Sequence, residues 1–442
     1  MQVRRAGDRA VLIELGEVSA EELHRAALEK SREGVVIIGH SSLLVVADTP
    51  GRSSVPLSPQ AGRGTRGEGP RRIEIPVLFD KDQREAILKA RYLGFRAGFA
   101  YLEGWPVPMP RLETSRPVKK GSFAIAGTMA GFYPIDTPGG WNVIGRTSVA
   151  LWDPNREPPN LIAPGDLVHV IPVNELPPEE PLLPPKMPEG DAIAEVISPG
   201  QLTRIVGPRD WSRAQHGVAP GGPFDEIAAA EANRAAGNPP DAALLECVLV
   251  GPSLRFVRPM RVAVFDGVRV IRQVVDELAV GRLRGFRGYV AVEGGIAVSS
   301  GYEEAMRVVR GMTLFSRPLT RGDEERRGEG DVGDGDRFAI RVVPGPHEPS
   351  ISEIACEVTS QLDRVGIRMR PLQPVGIAAP RDLPSCGMQF GSVQLHPDGS
   401  LVAMGPDHPV TGGYLQPMTV LSSDLWKLAR LAPGERVRFY SP

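Results

Sequence analysis

Three short stretches late in the chain decide its reading: GSVQL (Gly391–Leu395), TGGY (Thr411–Tyr414) and APGERVRF (Ala432–Phe439). The same signals stand earlier in the same order, as GSFAI (Gly121–Ile125), PGGW (Pro138–Trp141) and APGDLVHV (Ala163–Val170). Gly121 to Gly139 is 18 residues and Gly391 to Gly412 is 21; Gly139 to Gly165 is 26 and Gly412 to Gly434 is 22. Three signals in one order at similar spacing indicate an internal duplication. The period is too long for a solenoid. It fits two related β-rich domains, each closing on a Pro-Gly turn and a strand of alternating apolar residues. The expectation is that 121–173 and 391–442 share one strand order, with Gly139 matching Gly412 and Gly165 matching Gly434.

Composition sets the limits. A chain of 442 residues allows about three domains at ~150 residues each. A hydrophobic content of 41% supports large cores, and 50 glycines with 44 prolines favour turns over long helices. Net charge −2 argues against nucleic acid or an anionic membrane as partner. No apolar run is long enough to span a bilayer, and MQVRRAGDRA lacks the apolar core of a signal peptide. Three scattered cysteines, Cys247, Cys356 and Cys386, imply no disulfide framework. Together these predict a soluble, cytoplasmic protein.

The chain divides by pattern into five parts. Residues 1–50 read as a small α/β unit, with strands at Ala10–Leu15, Val35–Ile38 and Leu43–Val46. Between them lies a helix opened by a Ser19/Glu22 capping box and stopped by Gly34. Residues 51–72 are a Gly/Ser/Pro/Arg-rich linker. Residues 73–173 form the first β-barrel candidate, entered by a strand at Ile73–Phe79 and a short helix at Gln83–Tyr92. Residues 174–191 (NELPPEEPLLPPKMPEGD) are a stiff, proline-rich spacer. Residues 192–442 are the second β-barrel region, and they hold the best helix of the chain, Glu226–Ala236, capped by Asp225 and ended at Gly237. The acidic, glycine-rich Thr320–Asp336 lacks the order of a calcium loop and reads as a solvated loop.

Motif chemistry is silent: the chain has no P-loop, GxGxxG, HExxH or GxSxG, and its seven histidines lack metal-ligand spacing. No tightly bound metal is expected. What remains is glycine geometry with polar residues beside it. GFRAGFAYLEG (94–104) carries Tyr101. FYPIDTPGGWNVIGRT (132–147) carries Tyr133, Gly139, Gly140, Trp141 and Arg146. Paired glycines let backbone amides approach an anion, and an arginine meets a carboxylate bidentately; a tight hairpin with aromatic core anchors explains the same pattern. AQHGVAPGGPFD places His216 in a loop that leads to the helix N-terminus at Asp225, with Asn233 on the helix and Glu246 in the following strand. DHPVTGGY repeats the glycine pair as Gly412 and Gly413, flanked by Thr411 and Tyr414, with His408 read as exposed. In this reading Glu246 is the general base, half-buried so that its pKa rises; His216 stabilises developing negative charge; Asp225 completes the catalytic set. The opposing reading has Glu246 paired with an arginine and holding the fold.

At these residues the chain resembles a known group. Residues 1–173 are similar to the B subunit of the bacterial 5-oxoprolinase, the kinase-inhibitor and allophanate hydrolase subunit 1 family, through AGDRAVLIE, GFAYLEG, GFYPIDTPGGWNVIGRT, LWDP and PGDLVHVIPV. Residues 193–442 are similar to its C subunit, the allophanate hydrolase subunit 2 family, through VISPGQLTRI, QHGVAPGGPFD, EANRAAGNPPDAALLE, DRVGIRM, VTGGY and PGERVRF. The joined halves resemble the carboxyltransferase region of urea carboxylase. The resemblance implies a mainly β protein with α+β parts, cyclophilin-like barrels in both halves and a small N-terminal α/β domain. It also implies ATP-dependent opening of the lactam of 5-oxoproline to glutamate, with ATP (and Mg) as cofactor and a separate 5-oxoprolinase A-subunit homologue as partner. Two alternatives stand beside it: a biotin-dependent carboxyltransferase, and a non-catalytic inhibitor of a histidine kinase. A homo-oligomer is a further expectation. The chain departs from the family pattern at Phe95-Arg96-Ala97-Gly98, at Met129-Ala130-Gly131, at Gly207–Ser212, and at Val410 and Leu415 around the TGGY turn.

Overall fold

The computed structural model describes residues 2–6, 8–31, 34–40, 42–47, 70–81, 84–112, 114–179, 181, 190–298, 306–317, 337–380 and 383–442. The expected loop at Thr320–Asp336 lies outside these residues, as do 51–69 of the first linker and 180 and 182–189 of the second.

The N-terminal unit is a four-stranded antiparallel sheet, order β1-β2-β4-β3, from β1 (Gln2–Arg5), β2 (Ala10–Glu14), β3 (Gly34–Ile38) and β4 (Ser42–Ala47). Helix α1 (Ala20–Lys30) starts at the Ser19/Glu22 capping box, with both reciprocal bonds formed. Its Leu23 and Ala27 pack on Ile13, Val36, Leu43 and Val45. Gly34 opens β3 and does not cap the helix, whose C-cap is Ser31.

Next come β5 (Arg72–Phe79), β6 (Ala86–Leu93), β7 (Ala100–Glu103), β8 (Arg116–Val118), β9 (Ser122–Ala126), β10 (Met129–Phe132), β11 (Thr137–Gly139), β12 (Asn142–Arg146) and β13 (Leu167–Pro172). Seven of them close a barrel in the order β10-β7-β6-β13-β5-β12-β9, and β8 and β11 form a separate two-stranded ribbon. Ile75 and Val77 of β5, Leu88 and Ala90 of β6, Leu102, Phe123 and Val168 fill the interior, one alternate face of each strand. The helix expected at Gln83–Tyr92 is instead strand β6. Its segment REAILKARY is rich in helix formers, but pairing with both β13 and β7 outweighs that weak local preference.

The third unit spans β14 (Ala192–Ser198), β15 (Leu202–Val206), α2 (Glu226–Ala236), β16 (Leu244–Val250), β17 (Ser253–Phe265), β18 (Val270–Ala279), β19 (Arg282–Val292), β20 (Met306–Arg307) and β21 (Thr313–Phe315). It is an open sheet, β20-β15-β16-β19-β17-β14-β21, with β18 added along β17. The alanine face of α2 (Ala228, Ala229, Ala232, Ala236) lies on Phe265, Tyr289 and Ala291.

The last unit repeats the first barrel. It comprises β22 (Ala339–Pro344), β23 (Glu353–Leu362), β24 (Gly366–Pro371), β25 (Cys386–Gly387), β26 (Ser392–Leu395), β27 (Leu401–Met404), β28 (Thr411–Gly412), β29 (Leu415–Val420) and β30 (Arg436–Tyr440), with the short α3 (Leu425–Ala429). Its closed order is β22-β29-β26-β27-β24-β23-β30, with β25 and β28 as the ribbon. Taken in chain order, this is the same circuit as the first barrel, including one parallel pair each, β13 with β5 and β30 with β22. The marker glycines coincide. Gly139 ends β11 and Gly412 ends β28, each in the two-stranded ribbon. The Gly165 N–H donates to Ala90 O at 2.7 Å, and the Gly434 N–H to Val358 O at 2.8 Å. One residue on, Asp166 and Glu435 each accept a backbone N–H, from Ala163 and Ala432. Each also takes an arginine that precedes the barrel's first strand, Arg71 or Arg337. No helix among the described residues is long and apolar enough to cross a membrane.

Candidate functional site at the junction of the halves

Asp225 caps α2 through Oδ1, which accepts the Ala228 N–H at 3.0 Å. Its Oδ2 accepts Arg430 Nε at 2.6 Å, and its own N–H donates to Tyr289 Oη. Burial pushes its pKa up, and Arg430 with the cap bonds pulls against that. Asn233 sits at the other end of the same helix. Its Nδ2 donates to Ala242 O at 2.7 Å and its Oδ1 accepts Asn238 Nδ2, so it clasps the turn after α2.

Glu246, on β16, is 2% exposed. Oε1 accepts Arg287 Nη1 at 2.5 Å and Arg364 Nη1 at 2.9 Å; Oε2 accepts the Phe224 N–H at 2.9 Å and Tyr289 Oη at 3.1 Å. Burial alone would raise its pKa, but Arg364, Arg287 and the Phe224 amide together hold it at about 2. The expected half-buried general base is therefore a permanent carboxylate whose acceptor positions are all occupied. Arg364 extends the network: Nε and Nη2 grip Asp407 at 2.7 and 2.8 Å, and Nη2 also donates to Gly222 O. One guanidinium thus binds the 217–224 loop, the β16 carboxylate and the 405–411 loop.

His216 ends a 3-10 turn (Trp211–His216) that Asp210 caps and Gly217 terminates at φ 77°. Its Nδ1 lies 3.4 Å from Asn160 Nδ2, while Asn160 Oδ1 accepts the Gly98 N–H at 3.0 Å. Asn160 therefore joins the two halves. Burial lowers the His216 pKa to about 4, so the ring is neutral near pH 7 and can meet negative charge only as a hydrogen-bond donor. His408 is 0% exposed, which corrects the reading of an exposed turn residue. Its Nδ1 lies 2.8 Å from Pro409 O, the Trp211 ring is 6.0 Å away, and burial, with Arg209 and Arg96 nearby, lowers its pKa to about 4.

The two glycine-pair turns meet different partners. Thr411 Oγ1 accepts the Phe95 N–H at 2.8 Å, and Gly94 comes so close that a Cβ there would lie 2.2 Å from the same oxygen. Tyr101 hydrogen-bonds Ser385 and Thr411, and burial raises its pKa. It stacks on Tyr92 at 4.2 Å and meets Trp141 edge-on at 5.6 Å. Tyr133, pushed up to about 12 by burial, bonds the Trp141 backbone, and a Cβ on Gly139 would lie 2.2 Å from its hydroxyl. Gly140 accepts the Leu112 N–H through its carbonyl. Gly412 is closed off by Gln394 and Met388, and a Cβ on Gly413 would lie 2.8 Å from Leu383 O. Tyr414 turns away to stack on His396 at 4.2 Å. Arg146 is exposed on β12, bracketed by Leu78 and Ser122, and does not join the cluster. Tyr101, Tyr133, Trp141 and Thr411 therefore form one buried interface, a seam between halves.

A cleft of about 490 Å³ lies where the N-terminal sheet, the 209–226 segment and the second barrel meet. Trp211, Phe224, Phe390 and Trp426 give it apolar walls, and Arg209 and Glu226 give it charge. Arg209 lies over the Phe390 ring at 4.5 Å and donates to Glu226 Oε1, Gly221 O and Pro223 O. Sequence reasoning passed over Arg209, Trp211, Arg364, Asp407 and Asn160. The segment Gly207–Ser212 was visible only as a departure from a pattern, and that segment supplies the cleft's Arg209 and Trp211.

The model of the family described as "Carboxyltransferase domain, subdomain A and B" matches residues 216–441, and that of "Carboxyltransferase domain, subdomain C and D" matches residues 84–162. The chain is 44% identical over 87 residues to the 5-oxoprolinase B subunit of Escherichia coli O157:H7, an overlap covering 19% of this chain and 40% of that protein. It is 25% identical over 281 residues to the 5-oxoprolinase C subunit of E. coli K12, covering 55% of this chain and 90% of the relative. The crystal structure of TTHA0988 superposes with a TM-score of 0.79 at 27% identity over 98% of this chain and 99% of that one. A B-like and a C-like region are thus joined in one polypeptide with two related barrels. The subdomain A and B match spans just over half of the 442 residues, and the chain belongs to the carboxyltransferase domain family, subdomain A and B.

Proposed function

We propose that this chain is the fused B and C component of a 5-oxoprolinase-type amidohydrolase. It would open the lactam of 5-oxoproline to glutamate with ATP (and its Mg) and a separate A-subunit homologue, in the cytoplasm. The observation that carries this reading is that regions similar to the B and C subunits occur in one chain and are bonded to each other through buried groups. The small amide or lactam is placed in the cleft beside Trp211 and Trp426, with the Arg209 charge at its wall. Glu246 acts there by holding Arg364, Arg287 and the Phe224 amide in place, and so shapes the loop that leads to the cleft. His216, neutral, is suited to donate one hydrogen bond and not to carry charge.

The test is reconstitution with an A-subunit homologue, ATP and 5-oxoproline, reading glutamate release. Trp211→Ala should reduce kcat/KM at least about tenfold, with the melting temperature near that of the parent protein. No glutamate from the complete mixture would overturn the proposal. The family description itself favours a second reading, a biotin-dependent carboxyltransferase. Carboxyl transfer from a carboxybiotin carrier to urea, in place of glutamate release, would support that one.

A further inference from the structure

Most polar side chains that line the cleft are engaged with one another or with the second barrel. Asp8 accepts the N–H and the hydroxyl of Ser422, Arg209 donates to Glu226, and Ser423 Oγ accepts Arg341 Nη2. Arg9 and Gln389 remain, neither with a side-chain hydrogen bond among the described residues. Arg9 is exposed, whereas Gln389 is 6% exposed. The Gln389 N–H donates to Ser392 Oγ at 3.3 Å, and its C=O accepts the Ser392 N–H at 3.0 Å. Both backbone groups are thus turned onto the start of β26, and what Gln389 presents to the cleft is its carboxamide. Phe390, the next residue, packs edge-on against Phe224 at 5.6 Å and carries Arg209 on its face, so the turn that holds Gln389 is anchored. Buried polar groups in folded proteins are met by protein, water or ligand. Among the described residues the protein meets neither end of this carboxamide.

Resting on the placement of the lactam in this cleft, we infer that Gln389 is the residue that recognises the substrate's amide, and that it recognises it as a cis-amide. Its Oε1 accepts the substrate N–H and its Nε2 donates to the substrate carbonyl oxygen. A primary carboxamide carries a donor and an acceptor side by side. A lactam ring holds its own N–H and C=O on one edge, so the two edges meet through two parallel hydrogen bonds. A trans amide, the form of an ordinary peptide bond, points its N–H and C=O in opposite directions and can satisfy only one end. A carboxylate offers no donor and also leaves one end unmet. The cleft therefore selects a cyclic amide over an open peptide, and over a carboxylate of the same size.

The experiment is titration calorimetry of the full chain with 5-oxoproline and with its N-methyl derivative, with thermal melts alongside. The parent protein should bind 5-oxoproline, and the N-methyl compound about tenfold more weakly, because one of the two bonds cannot form. Gln389→Leu should weaken 5-oxoproline about tenfold and abolish the difference between the two ligands. Gln389→Glu keeps the shape but only accepts, and should weaken 5-oxoproline as well. A parent protein that does not bind 5-oxoproline overturns the proposal, and so does an N-methyl penalty that persists in full in Gln389→Leu. Glutamate release by the reconstituted mixture is read separately. Release with lactam binding indifferent to Gln389 removes this assignment alone; binding through Gln389 without release removes the hydrolase reading alone.

Discussion

Glu246 is placed where a base would be expected, yet its surroundings fit it to a different task. Two guanidiniums and an amide hold it at about 2, so it is charged near pH 7. Replacing it by glutamine leaves Arg287 and Arg364 buried beside a neutral amide, and loss of one partner from a buried pair costs about 3–5 kcal/mol. Glu246→Gln should therefore lower the urea unfolding midpoint strongly. Its folded pKa lies below the ordinary carboxylate value, so the stability it contributes is complete above about 4.5 and is lost as pH falls toward 2. The difference between parent and variant should shrink across that window. A difference that stays constant from pH 5 downward would sink the assignment. The sequence could not show this network, because Arg287 and Arg364 lie 41 and 118 residues from Glu246. The capping role of Asp225 was readable, because a cap is decided within three residues of its helix.

At the scale of elements, the duplication was readable for a related reason. Its markers are turns, and turns are local. Gly165 and Gly434 have φ of 93° and 84°, and neither has an atom within 4 Å of where a Cβ would stand. Only the left-handed backbone penalty applies, about 1–2 kcal/mol. Gly165→Ala and Gly434→Ala should thus destabilise by similar amounts in chemical denaturation. A several-fold disparity would mean the two turns are not equivalent. Strand β6 went unread because local composition favours helix there, and only the strands on either side reveal what the segment becomes. The open sheet at 192–317, standing between the barrels, was readable as strands but not as a separate architecture, since β14 reaches β17 and β16 reaches β19 across long connections.

Across the whole molecule, the halves share a seam of aromatic rings and hydrogen bonds. Thr411→Val keeps the shape but leaves the Phe95 amide unpaired, at about 1–3 kcal/mol. Gly94→Ala forces a Cβ against the same hydroxyl and should cost a comparable ~1–3 kcal/mol through overpacking. Proteolysis within 174–191 should leave two fragments that still co-elute on sizing, and Gly94→Ala should make them separate more readily. Fragments of the parent protein that part freely would contradict the seam. The Thr411 to Phe95 bond spans 316 positions in the chain. At ~5–20 residues per second of synthesis, the first barrel waits roughly 15–60 seconds for its cover. During that interval the Phe95 amide and the Tyr92 and Tyr101 hydroxyls lack their Thr411 and Ser385 partners, and a nascent-chain chaperone would find its client there. Carrying both halves on one message means the cover always arrives, in equal number and already tethered.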